Sequence, residues 1–187
     1  MNRQVLPCLM AGMLSATALV SAGQPAAQVP IKGDMLDGSR LVLRSAGVSV
    51  DLPGAGWKWM TYEGDAGKTC LCVNASSGVT YLVAVGQLHG EFTDHQPQSL
   101  IDNARKRMVA NGGKLENDKF EWVELPGTRK CARVAFTEVD KAGKKTLAVF
   151  YIAQTIGSTS LKLQFTGAMN AEPDAFSKMA RSLKALP

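Results

Sequence analysis

From residue 39 to residue 187 the apolar pattern repeats every second residue almost throughout, and it shifts to a helical period only twice. Side chains of a strand alternate between two faces, whereas one stripe of a helix recurs every three to four residues. This ordering fixes which segments can join a sheet and which must pack upon one. Residues 39–44 (SRLVLR) and 47–52 (GVSVDL) are short and β-rich, and Pro53-Gly54 punctuates them. Residues 57–62 (WKWMTY) alternate, with Trp57, Trp59 and Thr61 on one face. Residues 68–74 hold the stretch TCLCV, and a turn at Ala75-Ser76-Ser77-Gly78 follows. Residues 79–88 (VTYLVAVGQL) are apolar nearly throughout, the pattern of a central strand covered on both faces.

The first helical stretch covers 96–110. Pro97 suits its first turn, and Leu100, Ile101, Ala104, Met108 and Val109 form one stripe. Asn111-Gly112-Gly113 ends it through left-handed or flexible backbone. Strand patterns resume at 115–125, 129–139, 144–155 and 158–166, with Asp140-Lys141-Ala142-Gly143 as a hairpin signal between the middle pair. Pro173 opens the second helix, striped by Phe176, Met179, Ala180 and Leu183. Strands, one helix, more strands and a closing helix predict an α+β domain over 39–187: an antiparallel β-sheet with helices packed on it.

The preceding residues read differently. Arg3 and the apolar run 9–20 (LMAGMLSATALV), followed by small residues up to Gly23, predict a secretory signal peptide over 1–23. Cys8 precedes the apolar run, so the lipoprotein pattern is not met. Residues 24–38 (QPAAQVPIKGDMLDG) predict a flexible mature N-terminus. The expected location is therefore periplasmic or secreted. No later run is apolar enough for a transmembrane segment.

Export makes disulfides possible, which directs attention to Cys70, Cys72 and Cys131. A strand places residues 70 and 72 on one face, with Cα atoms about 7 Å apart, the edge of what a disulfide tolerates. A structural bond from Cys131 to Cys70 or Cys72 is the leading expectation. Three buried thiols, or a redox site in which the third thiol attacks the bond between the other two, are the alternatives. Neither a helix N-terminus nor zinc-type ligand spacing accompanies them.

Two further clusters are candidates. His89, Glu91, Asp94 and His95 place four possible metal ligands in seven residues, although Thr93 or Asp94 equally suits a helix start. Trp57, Trp59 and Trp122 are either core residues or the walls of an apolar groove for a peptide or lipid-like ligand. The formal net charge of +5 is mild. Its basic clusters lack the aromatic interleaving that nucleic-acid binding needs, so nucleic acid is not an expected partner. The sequence contains no G-x-S-x-G, P-loop or dinucleotide fingerprint, and no cofactor is expected.

Three stretches carry a family resemblance over 45–187: GVSVDLPGAGWKW, the helix SLIDNARKRMVANGG followed by strands, and the closing DAFSKMARSLKAL. Together they resemble the PsbP-like superfamily. That group includes the PsbP subunit of the photosynthetic oxygen-evolving complex, a yeast Ran-binding import factor and many small exported bacterial proteins. The resemblance implies an α/β/α sandwich and a non-enzymatic binding or accessory role in the cell envelope, exerted on a protein partner. It transfers no partner-binding residue. A periplasmic thiol-active redox enzyme using Cys70, Cys72 and Cys131, and a carrier or chaperone with a groove near Trp57 and Trp59, remain the alternatives.

Overall fold

The computed structural model describes residues 35–37, 39–64, 67–74, 76–88, 90–156, 159–168 and 173–187. The signal-peptide segment 1–23, most of 24–38, and His89 lie outside the described residues.

Among the described residues, eleven strands form two antiparallel sheets. The larger sheet contains β4 (Trp57–Gly64), β5 (Gly67–Asn74), β6 (Thr80–Gln87), β7 (Lys114–Val123), β8 (Thr128–Val139), β9 (Lys145–Thr155) and β10 (Thr159–Ala168). Its spatial order is β4-β5-β6-β10-β9-β8-β7. The smaller sheet is β1 (Met35–Asp37), β2 (Arg40–Leu43), β3 (Val48–Asp51) and β11 (Lys184–Ala185), in that order. Helix α1 (His95–Ala110) lies on one face of the larger sheet, over β7 and β8. Helix α2 (Pro173–Arg181) and the smaller sheet cover the other face.

Every segment read as strand or helix from its period is one. The additions are short: β1, β11 and a 3-10 turn at Arg44–Ala46. The predicted single sheet is two, because β1, β2 and β3 pair with one another rather than with the later strands, and the chain returns at residues 184–185 to pair Lys184 with Ser49 and Ala185 with Val48. Strand β1 belongs to the segment 24–38, where Leu36 pairs with Leu41.

Two cores sit on opposite faces of the large sheet. The first buries Trp57, Trp59, Tyr81, Phe165, Phe176 and Met179 beneath α2 and the smaller sheet. The second buries Ile101 and Ala104 of α1 against Val134, Phe136, Phe150 and Ile152. Exposed ion pairs join the helix to the sheet: Arg105 meets Asp118, and Arg107 meets Glu138. At the end of α1, Gly112 takes φ +74°, and the Gly113 amide donates to the Met108 carbonyl at 2.9 Å. A Cβ at Gly113 would collide with the Val139 carbonyl oxygen, so the chain can turn against β8 only without a side chain there. The hairpin between β8 and β9 closes as its residues predict: Gly143 takes φ +80°, and Asp140 Oδ1 accepts from the Ala142 and Lys144 amides at 2.8 and 2.9 Å.

Candidate functional site

Cys70 and Cys72 point to one face of β5, opposite Val83 and Tyr81 of β6. Both are buried, as is Cys131 on β8, and no disulfide joins them. The expected bond to Cys131 is thus not formed, and strand order gives the reason. Between β5 and β8 lie β6, β10 and β9. Four inter-strand steps amount to roughly 19 Å, far beyond the ~7 Å limit between bridged Cα atoms. The same separation prevents Cys131 from attacking a bond between the other two. Burial also pushes the Cys72 and Cys131 thiols up to about 12 from an ordinary 9.0. They remain protonated and poorly nucleophilic at neutral pH. These cysteines act as small apolar core residues.

The tryptophans do not form one groove. Trp57 and Trp59 are buried in the first core. Trp57 stacks on Tyr81 with centroids 4.4 Å apart, and Trp59 Nε1 donates to the Ser39 carbonyl at 3.2 Å, which ties β4 to the smaller sheet. Trp122 lies on the opposite face of the large sheet and is 39% exposed. It packs edge-on against Phe92 and Phe120, donates to Asp94 Oδ1 at 3.1 Å, and carries the Lys130 ammonium 4.1 Å from its ring centroid.

The loop that leads into α1 is built as a helix start. Gln96 Oε1 accepts from the Thr93 amide at 2.8 Å, and Thr93 Oγ1 accepts from the His95 amide at 3.3 Å. Gln96 thus reaches back as the glutamine of a capping box does, while Thr93 holds the His95 amide at the helix entry. Gln96 Nε2 also donates to the Glu91 carbonyl at 2.8 Å. Asp94 is engaged by Trp122, and the Glu91 and His95 side chains are exposed. Among the described residues, no three His, Cys, Asp or Glu side chains gather as a metal site.

A feature the sequence did not disclose lies on the α1 side of the large sheet. Helix α1 lies chiefly over β7 and β8, and with Phe92 and Leu88 it buries Phe150 and Ile152 of β9. Among the described residues, no helix covers the outward side chains Met60, Leu71, Val73, Leu82 and Ala84 in this way. Met60, Leu71, Leu82 and Gln164 form a row of cross-strand neighbours over these four strands. Met60 is 44% exposed, and Leu71, Leu82, Val73 and Ala84 are half-buried. Two lysines stand in the patch. Lys58 is exposed on the edge strand β4. Lys162 is half-buried on β10, where removal from water lowers its pKa. No carboxylate among the described residues forms an ion pair with either. The uniform apolarity of residues 79–88 predicts cover on both faces. Tyr81 and Val83 are fully covered, but Leu82 and Ala84 on the reverse face are not. Period alone cannot tell a strand buried twice from one that keeps an apolar face open.

No protein-family model matches the chain, and no curated protein matches its sequence. Solved structures do match. Cyanobacterial PsbP (CyanoP) from Synechocystis superposes with a TM-score of 0.59 at 11% identity, over 88% of this chain and 98% of that one. The chain has a PsbP-like fold. LpqN, described as involved in cell envelope biogenesis of Mycobacterium tuberculosis, also matches, with a TM-score of 0.44 at 14% identity over 76% of this chain and 86% of that one. Among the described residues, no helix is long and apolar enough to cross a membrane.

Proposed function

We propose that the chain is an exported, non-catalytic binding or accessory protein of a bacterial cell envelope, and that it works by protein contact through the open face of β4, β5, β6 and β10. The observation that carries this reading is the apolar row Met60, Leu71 and Leu82, which the described residues leave partly in water. Aliphatic side chains gathered on one sheet face gain from leaving water, and here the described residues do not supply the second surface. The PsbP-like fold is consistent with an accessory role. Export rests on the 1–23 segment of the sequence. The buried, protonated thiols do not support a thiol-active enzyme, and the buried Trp57 and Trp59 offer no groove for a carrier.

The test is chemical cross-linking in cells of the native host, followed by purification of the chain and of its Leu71→Asp variant. Circular dichroism and thermal melting first establish that the variant folds, since a charge at this half-buried position costs some stability. The reading expects a protein partner with the parent chain and its loss with Leu71→Asp. The same partner at equal yield with both would refute it.

A further inference from the structure

The open face has the dimensions of a missing layer element. Four adjacent strands span roughly 14 Å, and an α-helix with its side chains is about 10–12 Å across. Helix α1 occupies the other half of the same face. A second helix beside it would complete the α/β/α layering over β4, β5, β6 and β10.

Charge says what kind of helix. Lys58 stands at the outer margin of the slot, on edge strand β4. Lys162 stands at the inner margin, on the strand that borders the α1-covered half, with Ala84 and Ile152 as its cross-strand neighbours. A half-buried ammonium among apolar groups is costly until a carboxylate meets it. Register places the two lysines diagonally. The row of Lys58 passes through Val73 to Thr80, and that of Lys162 passes through Ala84, four residues further along β6. Four residues along the strand and three strands across give a diagonal of roughly 20 Å. That is about 13 residues of helix, or between three and four turns.

We propose that this slot receives an amphipathic helix of a partner protein, with its aliphatic stripe on Met60, Leu71 and Leu82 and one carboxylate on each flank, about 13 residues apart, meeting Lys58 and Lys162. The inference rests on the protein-contact reading and adds the chemistry of the partner. A second copy of the chain fits badly, because it would bring four lysines to one interface. An anionic lipid surface is served by basic groups around a protruding apolar tip. Here Lys162 is half-buried in mid-sheet, between Ala84 and Ile152 across the strands and Ser160 and Gln164 along its own, a setting that suits one carboxylate held at a fixed place.

The experiment puts a photo-cross-linking residue at position 60 of the full-length chain in its native host, and identifies the captured segment by mass spectrometry. The expected capture is a helical segment with an aliphatic stripe and Asp or Glu on both flanks. Yield should fall roughly tenfold in Lys162→Met, the loss of about one charge-assisted contact, and again in Lys58→Met. Circular dichroism confirms that both variants fold. Lys162→Glu should abolish capture, and a partner carrying Lys in place of the matching carboxylate should restore it. Capture of a protein segment without flanking acids, or with no response to Lys162→Met, overturns this inference and leaves the contact reading standing. Capture of lipid, of a second copy, or of residues 1–34 of the same chain overturns it as well. If position 60 captures nothing while the parent chain folds, the contact reading itself fails.

Discussion

The two faces of β4, β5 and β6 both carry apolar side chains and meet different surroundings, whereas β10 is apolar only inward and turns Ser160, Lys162, Gln164 and Thr166 outward. On the inner face Cys72, Tyr81, Leu161, Leu163 and Phe165 are completely buried under α2 and the smaller sheet. On the outer face Met60, Leu71, Val73 and Leu82 occupy alternate positions of the same strands and stay partly in water. The fold explains the apolar residues of the inner face, since removing them would leave the sandwich without a core. It does not explain those of the outer face, where a polar residue would fold equally well. An apolar surface not needed for folding is where contact with another molecule is to be sought.

Neighbouring residues make this contrast measurable. Tyr81 contacts the Trp57, Phe165 and Phe176 rings with centroids 4.4, 5.6 and 5.0 Å away. Tyr81→Ala should cost about 3–5 kcal/mol in urea unfolding, while Leu82→Ala, one residue on, should cost less than about 1.5 kcal/mol. Equal losses would mean that the outer face is packed after all. Cys72→Ser places a hydroxyl in the first core and should cost about 1–3 kcal/mol, whereas Val73→Thr beside it should cost about 0.5 kcal/mol or less.

The pH dependence follows the same division. The Cys72 and Cys131 thiols titrate at about 12 when folded and nearer 9.0 when unfolded. Above pH 9 the unfolded chain therefore holds fewer protons than the folded one, and stability declines as pH rises from 9 towards 12. Cys72→Ala should flatten that alkaline decline. Lys162 shifts in the opposite sense for a cation: its folded pKa lies below the unfolded value, so its penalty eases as pH rises between them. Lys162→Met should remove that penalty and stabilise the isolated chain by up to about 1 kcal/mol. A loss of stability instead would reveal a partner for the ammonium within the chain.

The smallest effect belongs to a site outside both faces. Glu116 lies 2.6 Å from Lys114 and 2.9 Å from Lys145, which hold its carboxyl down to about 2. Its contribution is present above the ordinary 4.5 and is lost as pH falls towards 2. The group is exposed, so Glu116→Gln should move the acid unfolding midpoint only slightly.

Much of the fold was legible because period is local. Alternation at 57–62 and 158–166 located β4 and β10, and the stripe from Leu100 to Val109 located α1 to within a residue. What failed was long-range. Strand order is set by pairings such as Val83 with Leu163, and no feature of TCLCV reveals that three strands separate it from Cys131. The faces of Trp57 and Trp122 likewise depend on the register of strands at opposite ends of the sheet. The loop at 91–95 gave up its role more readily, since Thr93 and Asp94 just before an apolar stripe are residues suited to a helix start, and Thr93 does bond the His95 amide there. The open face left a trace as well: a ten-residue apolar run at 79–88 in a chain with helical stripes enough to cover only part of a seven-stranded sheet.

The most direct measurement is hydroxyl-radical or carbene footprinting of the purified full-length chain, read residue by residue. Strong labelling of Met60, Leu71 and Leu82, with Cys72, Tyr81 and Phe165 protected, is the result expected of a sheet covered on one face and open on the other. Equal protection on both faces would contradict it, because the apolar row would then already be covered within the chain and would have no surface to offer a partner.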